Sequence, residues 1–271
     1  MGPRLEADLD LLKKATLEAG QLAMTFFRRN PQSWAKLGGS PVTEADMAVD
    51  TLLRIGLMAE RPDYGWLSEE TADDLVRRER ETVFVVDPID GTRGFIEGDD
   101  RWCVSVAVVH EGRPVVGALY APARRAFYTA VAGSGAWSGE DRLAVSDRRV
   151  LEGARLAGPR GWLKSRAVTQ TGARLQSHVP SLAFRIASVA TDALDAAFAS
   201  PGAHDWDLAA CDLLVHEAGG RLTDLQGSVL IYNREIPHHG VLAAANADLL
   251  PGLLGVLDEA GRERGRAGLP R

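Results

Sequence analysis

Cysteine is scarce in this chain: 271 residues hold two, Cys103 and Cys211. One sits in a strand-like run and the other on a helix face. Both read as buried small hydrophobes of a protein of the reducing cytoplasm, with a single disulfide between them left open. Long apolar runs are also missing, since no stretch reaches the about 18 residues that a membrane span requires. The first ten residues carry charges that a secretory signal would not, and Met1-Gly2-Pro3-Arg4-Leu5-Glu6 lacks the Ser or Thr of a myristoylation signal. Positive charge is not in excess. The formal net charge of -6 argues against a nucleic-acid-binding surface. There is no internal repeat, no low-complexity linker, no Gly-x-Ser-x-Gly nucleophile turn and no Walker-type phosphate loop. At 45% hydrophobic and 25% charged residues, the composition is that of a soluble globular protein able to bury a large core as one or two domains.

Apolar residues at Leu5, Leu9, Leu12, Ala19, Leu22, Ala23 and Phe26 follow helical spacing and predict a long first helix ending near Arg28-Arg29-Asn30. A second helix is expected from Thr43 to Glu60. Strand-rich sequence follows at Thr82 to Val86, Trp102 to Val109, Pro114 to Tyr120 and Ala126 to Ala130, with a hairpin turn at Glu111-Gly112. This portion reads as an antiparallel sheet under two helices. From about Leu156 the pattern is mixed: a helix from Ser181 to about Thr191, a strand from Ala193 to Ala199, a helix opening at Trp206, a strand from Arg221 to Asp224 and a terminal helix from Ala247. The Arg-rich run that begins at Gly261 reads as a frayed, solvated tail. Periodicity supports an α/β or α+β class, with a first half at 1–150 and a second at 151–271.

The chemistry is written in four acidic elements. In Asp87-Pro88-Ile89-Asp90-Gly91-Thr92, two carboxylates stand three residues apart on a stiff turn directly after the apolar strand Val83 to Val86. Pro88 fixes its own φ and restricts Asp87, so both acids can turn toward one side and hold hard cations such as magnesium, manganese or calcium. Gly91 and Thr92 open a short helical turn whose backbone N–H groups suit an anion. Thr43-Glu44-Ala45-Asp46 starts the second helix, with Thr43 as N-cap and Asp46 in the first turn; alone, Asp46 is a capping acid. Ser68-Glu69-Glu70 ends a short strand, Tyr64 to Leu67, and places adjacent acids on opposite sides. His204-Asp205-Trp206-Asp207 opens a helix that stops at Gly219-Gly220, where Asp205 or Asp207 would complement the helix dipole.

Taken together, the four elements resemble the inositol monophosphatase superfamily, whose pattern runs Asp, Glu-Glu, Asp-Pro-Ile/Leu-Asp-Gly-Thr and Trp-Asp-x-Ala-Ala in that order. The resemblance extends through Glu217-Ala218-Gly219-Gly220 and the hydrophobic run at 240–246. It implies a layered α-β-α-β-α arrangement, a homodimer, and a magnesium-dependent, lithium-sensitive phosphatase with two or three ions. The first half would supply most metal ligands, and the second Asp207 and substrate-binding elements. Glu69, Asp87 and the carbonyl of Ile89 would hold the first ion; Asp87, Asp90 and Asp207 the second; a third would sit on Glu69 near Glu70. Thr92, bonded to Asp46 and paired with Glu69, would orient the attacking water, while the amides of Gly91 and Thr92 hold the phosphate.

For the substrate, a small phosphorylated molecule is implied. Inositol-specific members carry a pair such as Thr-Asn after Asp-Gly-Thr and an acid seven positions before the Trp-Asp aspartate; here those places hold Arg93-Gly94 and Ser200. Arg93 followed by Phe95-Ile96 is more similar to the bacterial 3'(2'),5'-bisphosphate nucleotidases, where a guanidinium could face a second phosphate; a solvent-exposed Arg93 is an equal reading. Arg160 and Arg185 are further candidates for a nucleotide. An inositol or broad sugar-phosphate phosphatase, and a non-catalytic regulatory binding protein, remain as alternatives. His238 and His239 lack a partner at zinc spacing and read as a surface pair, and the six tryptophans as core or rim.

Overall fold

The computed structural model describes residues 4–36, 39–73 and 75–267. Helix α1 (Leu5–Phe26) is followed by a short hairpin, β1 (Ser33–Ala35) and β2 (Pro41–Thr43), and by α2 (Glu44–Glu60). Strands β3 (Gly65–Ser68) and β4 (Thr82–Asp90), the short α3 (Thr92–Glu97), then β5 (Cys103–His110), β6 (Arg113–Ala121), β7 (Ala126–Val131), β8 (Gly135–Ser138) and β9 (Asp141–Arg142) complete the first half. The second half contains β10 (Arg155–Ala157), α4 (Arg160–Leu163), α5 (Arg166–Thr169), β11 (Arg174–Leu175), α6 (Leu182–Ala190), β12 (Ala196–Ala199), α7 (Asp205–Glu217), β13 (Gly220–Asp224), β14 (Leu242–Asn246) and α8 (Leu250–Ala267).

Strands β3 to β9 form a seven-stranded sheet in sequence order. It is antiparallel except where β3 runs parallel to β4, a pairing the purely antiparallel expectation did not include. The second sheet has the order β11-β10-β12-β14-β13 and is mixed. Side-chain alternation sorts the strands into layers. On β4 and β5, Phe84, Val86, Val104 and Val106 pack against α1 and α2. Their neighbours Val83, Val85 and Ala107 face the opposite way, toward α6, α7 and the inner face of the second sheet. That sheet's outer face, with Leu156, Phe198 and Ala243, is covered by α4, α5 and α8. The result is the five-layer α-β-α-β-α arrangement. Helix α7 lies at its centre and is buried nearly all round, from Asp205 through Val215.

Four boundaries differ from the sequence expectation. Helix α1 stops at Phe26, with Arg28 already at positive φ. Strand β12 begins at Ala196, after a left-handed Asp192 has turned the chain. The last helix starts at Leu250, because Asn246 caps it by accepting from the Leu249 amide. Residues 261–267, read as a frayed tail, are helical, and Arg264 lies over the Trp162 ring. Residue 268 of that tail lies outside the described residues. Both cysteines are buried and free. Among the described residues no helix is long and apolar enough to cross a membrane.

Candidate metal and phosphate site

All nine residues of β4 are buried, so its C-terminal end is a rigid platform. In a regular strand, residues three apart point to opposite faces. Asp87 pairs with Ser105 and Asp90 with Cys103, so three steps on β4 oppose two on β5. This irregularity turns both carboxylates to one side. Gly91 then adopts φ +96°, and a Cβ there would come within 3.0–3.1 Å of Ser181. Only glycine lets the turn pass this close to the start of α6.

The two acids have opposite surroundings. Asp90 accepts from the Leu182 amide at 3.2 Å, from the Ala183 amide at 2.6 Å and from the Ser181 hydroxyl. It thus sits on the N-terminus of α6, where free N–H groups and the helix dipole favour an anion. Neither carboxylate oxygen of Asp87 has a hydrogen-bond partner, although both are buried. Asp207, in the first turn of α7, accepts from the His204 amide at 2.7 Å. One oxygen from each of Asp87, Asp90 and Asp207 lies within 4.8 Å of the others. Burial and mutual repulsion push Asp87 and Asp207 well above the usual carboxylate range, and burial raises Asp90 to about 6.

A buried acid with two bare oxygens beside two more carboxylates is out of balance without a cation. The donors are all hard oxygens, so the cluster fits magnesium, manganese or calcium.

Glu69 and Glu70 do not splay as alternation predicted. Strand β3 ends at Ser68, and both carboxylates turn onto Lys36 Nζ, each at 2.7 Å. The ammonium is itself a cation held between them. Burial raises Glu70 to about 7 even against this pairing. The turn is fixed from below by Asp50 of α2, which accepts from Ser68 at 2.5 Å and from Thr71 at 2.8 Å.

Asp46 is the capping acid of α2 and also meets Thr92. It closes the capping box by accepting from the Thr43 amide at 2.8 Å, and it accepts from the Thr92 hydroxyl at 3.0 Å. That hydroxyl lies equally close to the Ile89 carbonyl. Its single proton serves one acceptor at a time. Burial raises the Asp46 carboxyl above its ordinary value.

These groups open into a cleft of about 570 Å³, lined by Glu69, Asp87, Asp90, Gly91, Thr92 and Asp207. Arg93, Arg160 and His178 line it as well, with Glu97 of α3. Arg185 is buried nearby, its Nη1 bonded to the Val179 carbonyl at 3.1 Å and its Nε without a partner. Burial and the charges of Arg185, Arg160 and Arg101 hold the His178 imidazole below its ordinary pKa. Ser200 follows β12 and is not among the residues lining the cleft.

Three features escaped the sequence reading. Lys36 lies on the hairpin and carries no motif of its own. The hold of α6 on Asp90 could have been suspected from Ser181 as an N-cap. The histidine pair divides: His238 is exposed, but His239 is buried and bonds Asp205 at 2.8 Å. Asp205 also accepts from the Asn233 amide at 2.7 Å. His239 is thereby part of the anchor for the first turn of α7, which carries Asp207.

Comparison with known proteins agrees with this geometry. The chain is 37% identical over 220 residues to a histidinol-phosphatase of Mycobacterium tuberculosis, covering 76% of this chain and 80% of that one. It is 32% identical over 230 residues to an inositol-1-monophosphatase of Rhizobium meliloti, covering 81% and 86%. The solved structure of extragenic suppressor protein suhB from Bartonella henselae superimposes with a TM-score of 0.83 at 29% identity, covering 93% of this chain and 98% of that one. With residues 5–262 matched by the model of the inositol monophosphatase family, the chain belongs to that family.

Proposed function

We propose that this protein is a magnesium-dependent phosphomonoesterase that removes one phosphate from a 3'(2'),5'-bisphosphate nucleotide such as adenosine 3',5'-bisphosphate, giving AMP and phosphate. Family membership and the phosphatase names of its relatives support the reaction class. The mixed lining of the cleft carries the choice of substrate. Its carboxylates suit one phosphate through bound cations, and the same cleft is lined by Arg93 and Arg160. Among the described residues neither arginine is paired with an acid, so both are available to a second phosphate.

Glu69, Asp87, Asp90, Asp207 and the Ile89 carbonyl would hold the divalent ions, two or three in number. Such ions neutralise the charge of the transferring phosphoryl group and make water a better nucleophile. The chain's own groups do the rest. Thr92, donating to Asp46, turns a lone pair outward to orient the attacking water. The amides of Gly91 and Thr92, at the turn and the start of α3, face the phosphate oxygens. Lys36 keeps Glu69 and Glu70 together at the mouth. A second reading, hydrolysis of a simple monophosphate, is favoured by the histidinol and inositol phosphatases among the relatives.

The test is magnesium-dependent phosphate release from adenosine 3',5'-bisphosphate beside inositol 1-phosphate and histidinol phosphate. A nucleotide advantage of about a hundredfold in kcat/KM, or about 2.7 kcal/mol, is expected. Equal or faster turnover of either monophosphate removes the second-phosphate reading.

A further inference from the structure

The cleft continues past its cations. Along Pro41, Arg93 and Glu97 it opens onto a shallower shelf of about 300 Å³, because these three residues line both spaces. The apolar surface of the shelf comes from Trp34 on β1 and Ile96 on α3, which are 48% and 39% exposed.

Trp34 is the odd one of the six tryptophans. Trp66 donates to Thr71 and Trp137 to the Ser134 carbonyl. Trp102 packs edge-on to Phe95, Trp162 edge-on to Phe198, and Trp206 stacks on His204. Among the described residues Trp34 is the one tryptophan whose side chain has no hydrogen bond, ring contact or cation over its face. Its backbone is nevertheless fixed, paired with Val42 in the hairpin that leads straight into the Thr43 cap of α2. A half-exposed indole carried on a paired strand beside a phosphate cleft offers a flat face to a planar ring.

We propose that Trp34 and Ile96 form a stacking shelf for the nucleobase of the substrate. The inference rests on the phosphatase reading only for where the phosphate lies. With the phosphate at the carboxylate cluster, the path outward runs past Arg93, which lines both spaces, and ends on the indole. Stacking on an aromatic face tolerates any base, so the shelf selects nucleotides over sugar phosphates without reading which base is present. Arg93 would sit between base and cleft, free to meet a phosphate or the ring face.

The experiment is calorimetric binding, in magnesium, of adenosine 5'-phosphate and of ribose 5-phosphate, which differ only in the base. It uses the wild-type chain, Trp34→Ala and Trp34→Phe, with circular dichroism to establish that each is folded. The wild type should bind the nucleotide on the order of tenfold tighter. Trp34→Ala should erase that advantage without changing ribose 5-phosphate binding, and Trp34→Phe should keep most of it. Equal binding of the two ligands by the wild type, or an advantage that survives in Trp34→Ala, overturns the shelf. So does a Trp34-dependent gain for histidinol phosphate as large as that for the nucleotide, since the shelf would then serve any small ring. Turnover separates the two readings: base-dependent binding without phosphate release leaves the shelf standing and removes the activity, and release without a base advantage does the reverse.

Discussion

The two sides of the cleft are built on different principles. The acidic side rides on β4, on the turn after it and on the buried start of α7, where side chains are locked by the core. The cationic side comes from α3, from Arg160 at the start of a four-residue helix and from the loop that carries His178 and Pro180. Core-locked elements hold the groups that must be placed to a fraction of an ångström, and two short helices and a loop hold the groups proposed to choose the ligand. Within the acidic side the contrast recurs at smaller scale, between Asp90, saturated by α6, and Asp87, left bare. The first is the structural acid of the pair and the second is stabilised only by what it binds.

The sharpest way to break this comparison is to neutralise each acid. Asp87→Asn and Asp90→Asn should both lower turnover by about a thousandfold or more, because each removes a proposed cation ligand. Their metal-free stabilities should diverge. Asp87→Asn removes an acid whose ionised form is buried without a partner and should raise the melting temperature in EDTA at pH 8, whereas Asp90→Asn weakens the seat on α6 and should lower it. Equal shifts in the two melts would show that the two environments do not differ energetically.

Removing His239 tests the anchor of α7. His239→Ala leaves the Asp205 carboxylate buried with one partner fewer and should destabilise the fold by about 2–4 kcal/mol in urea unfolding. The side chain packs into the core at 7% exposure, so an unchanged midpoint would mean the pair contributes nothing.

A third prediction concerns pH. Burial and repulsion raise Asp87, Asp90, Asp207 and Glu70 in the folded, metal-free protein, Asp90 to about 6 and Glu70 to about 7. Acids with a raised folded pKa favour folding while protonated, and that contribution is lost as pH rises through the folded values. Stability in EDTA should therefore fall from about pH 4 to pH 7. Magnesium, which needs the ionised forms, should restore it, so its thermal shift should be larger at pH 8 than at pH 5. A shift independent of pH would contradict the site.

The smallest effect is expected among the basic groups of the cleft. Arg160→Ala should raise KM for adenosine 3',5'-bisphosphate by about tenfold and leave inositol 1-phosphate unaffected, as fits a contact to the second phosphate alone. A change in kcat for both substrates would place Arg160 in the chemistry instead.

Much of the acidic side was legible because its causes are local. A proline after Asp87, a glycine at the turn and a threonine at the head of a capping box act on the backbone within a few residues, whatever the rest of the chain does. The α/β class was legible through apolar periodicity, and the five layers only through the family pattern. What the sequence left open depends on partners far apart in the chain. Lys36 meets Glu69 and Glu70 across the base of the hairpin, Ser181 and the α6 amides meet Asp90 from the other half, and His239 reaches back to Asp205. No local propensity encodes these meetings. Packing α6 and α7 between the two sheets brings the last two about, and tertiary structure also decided that one of two adjacent histidines is buried, and that one tryptophan of six is left half exposed beside the cleft.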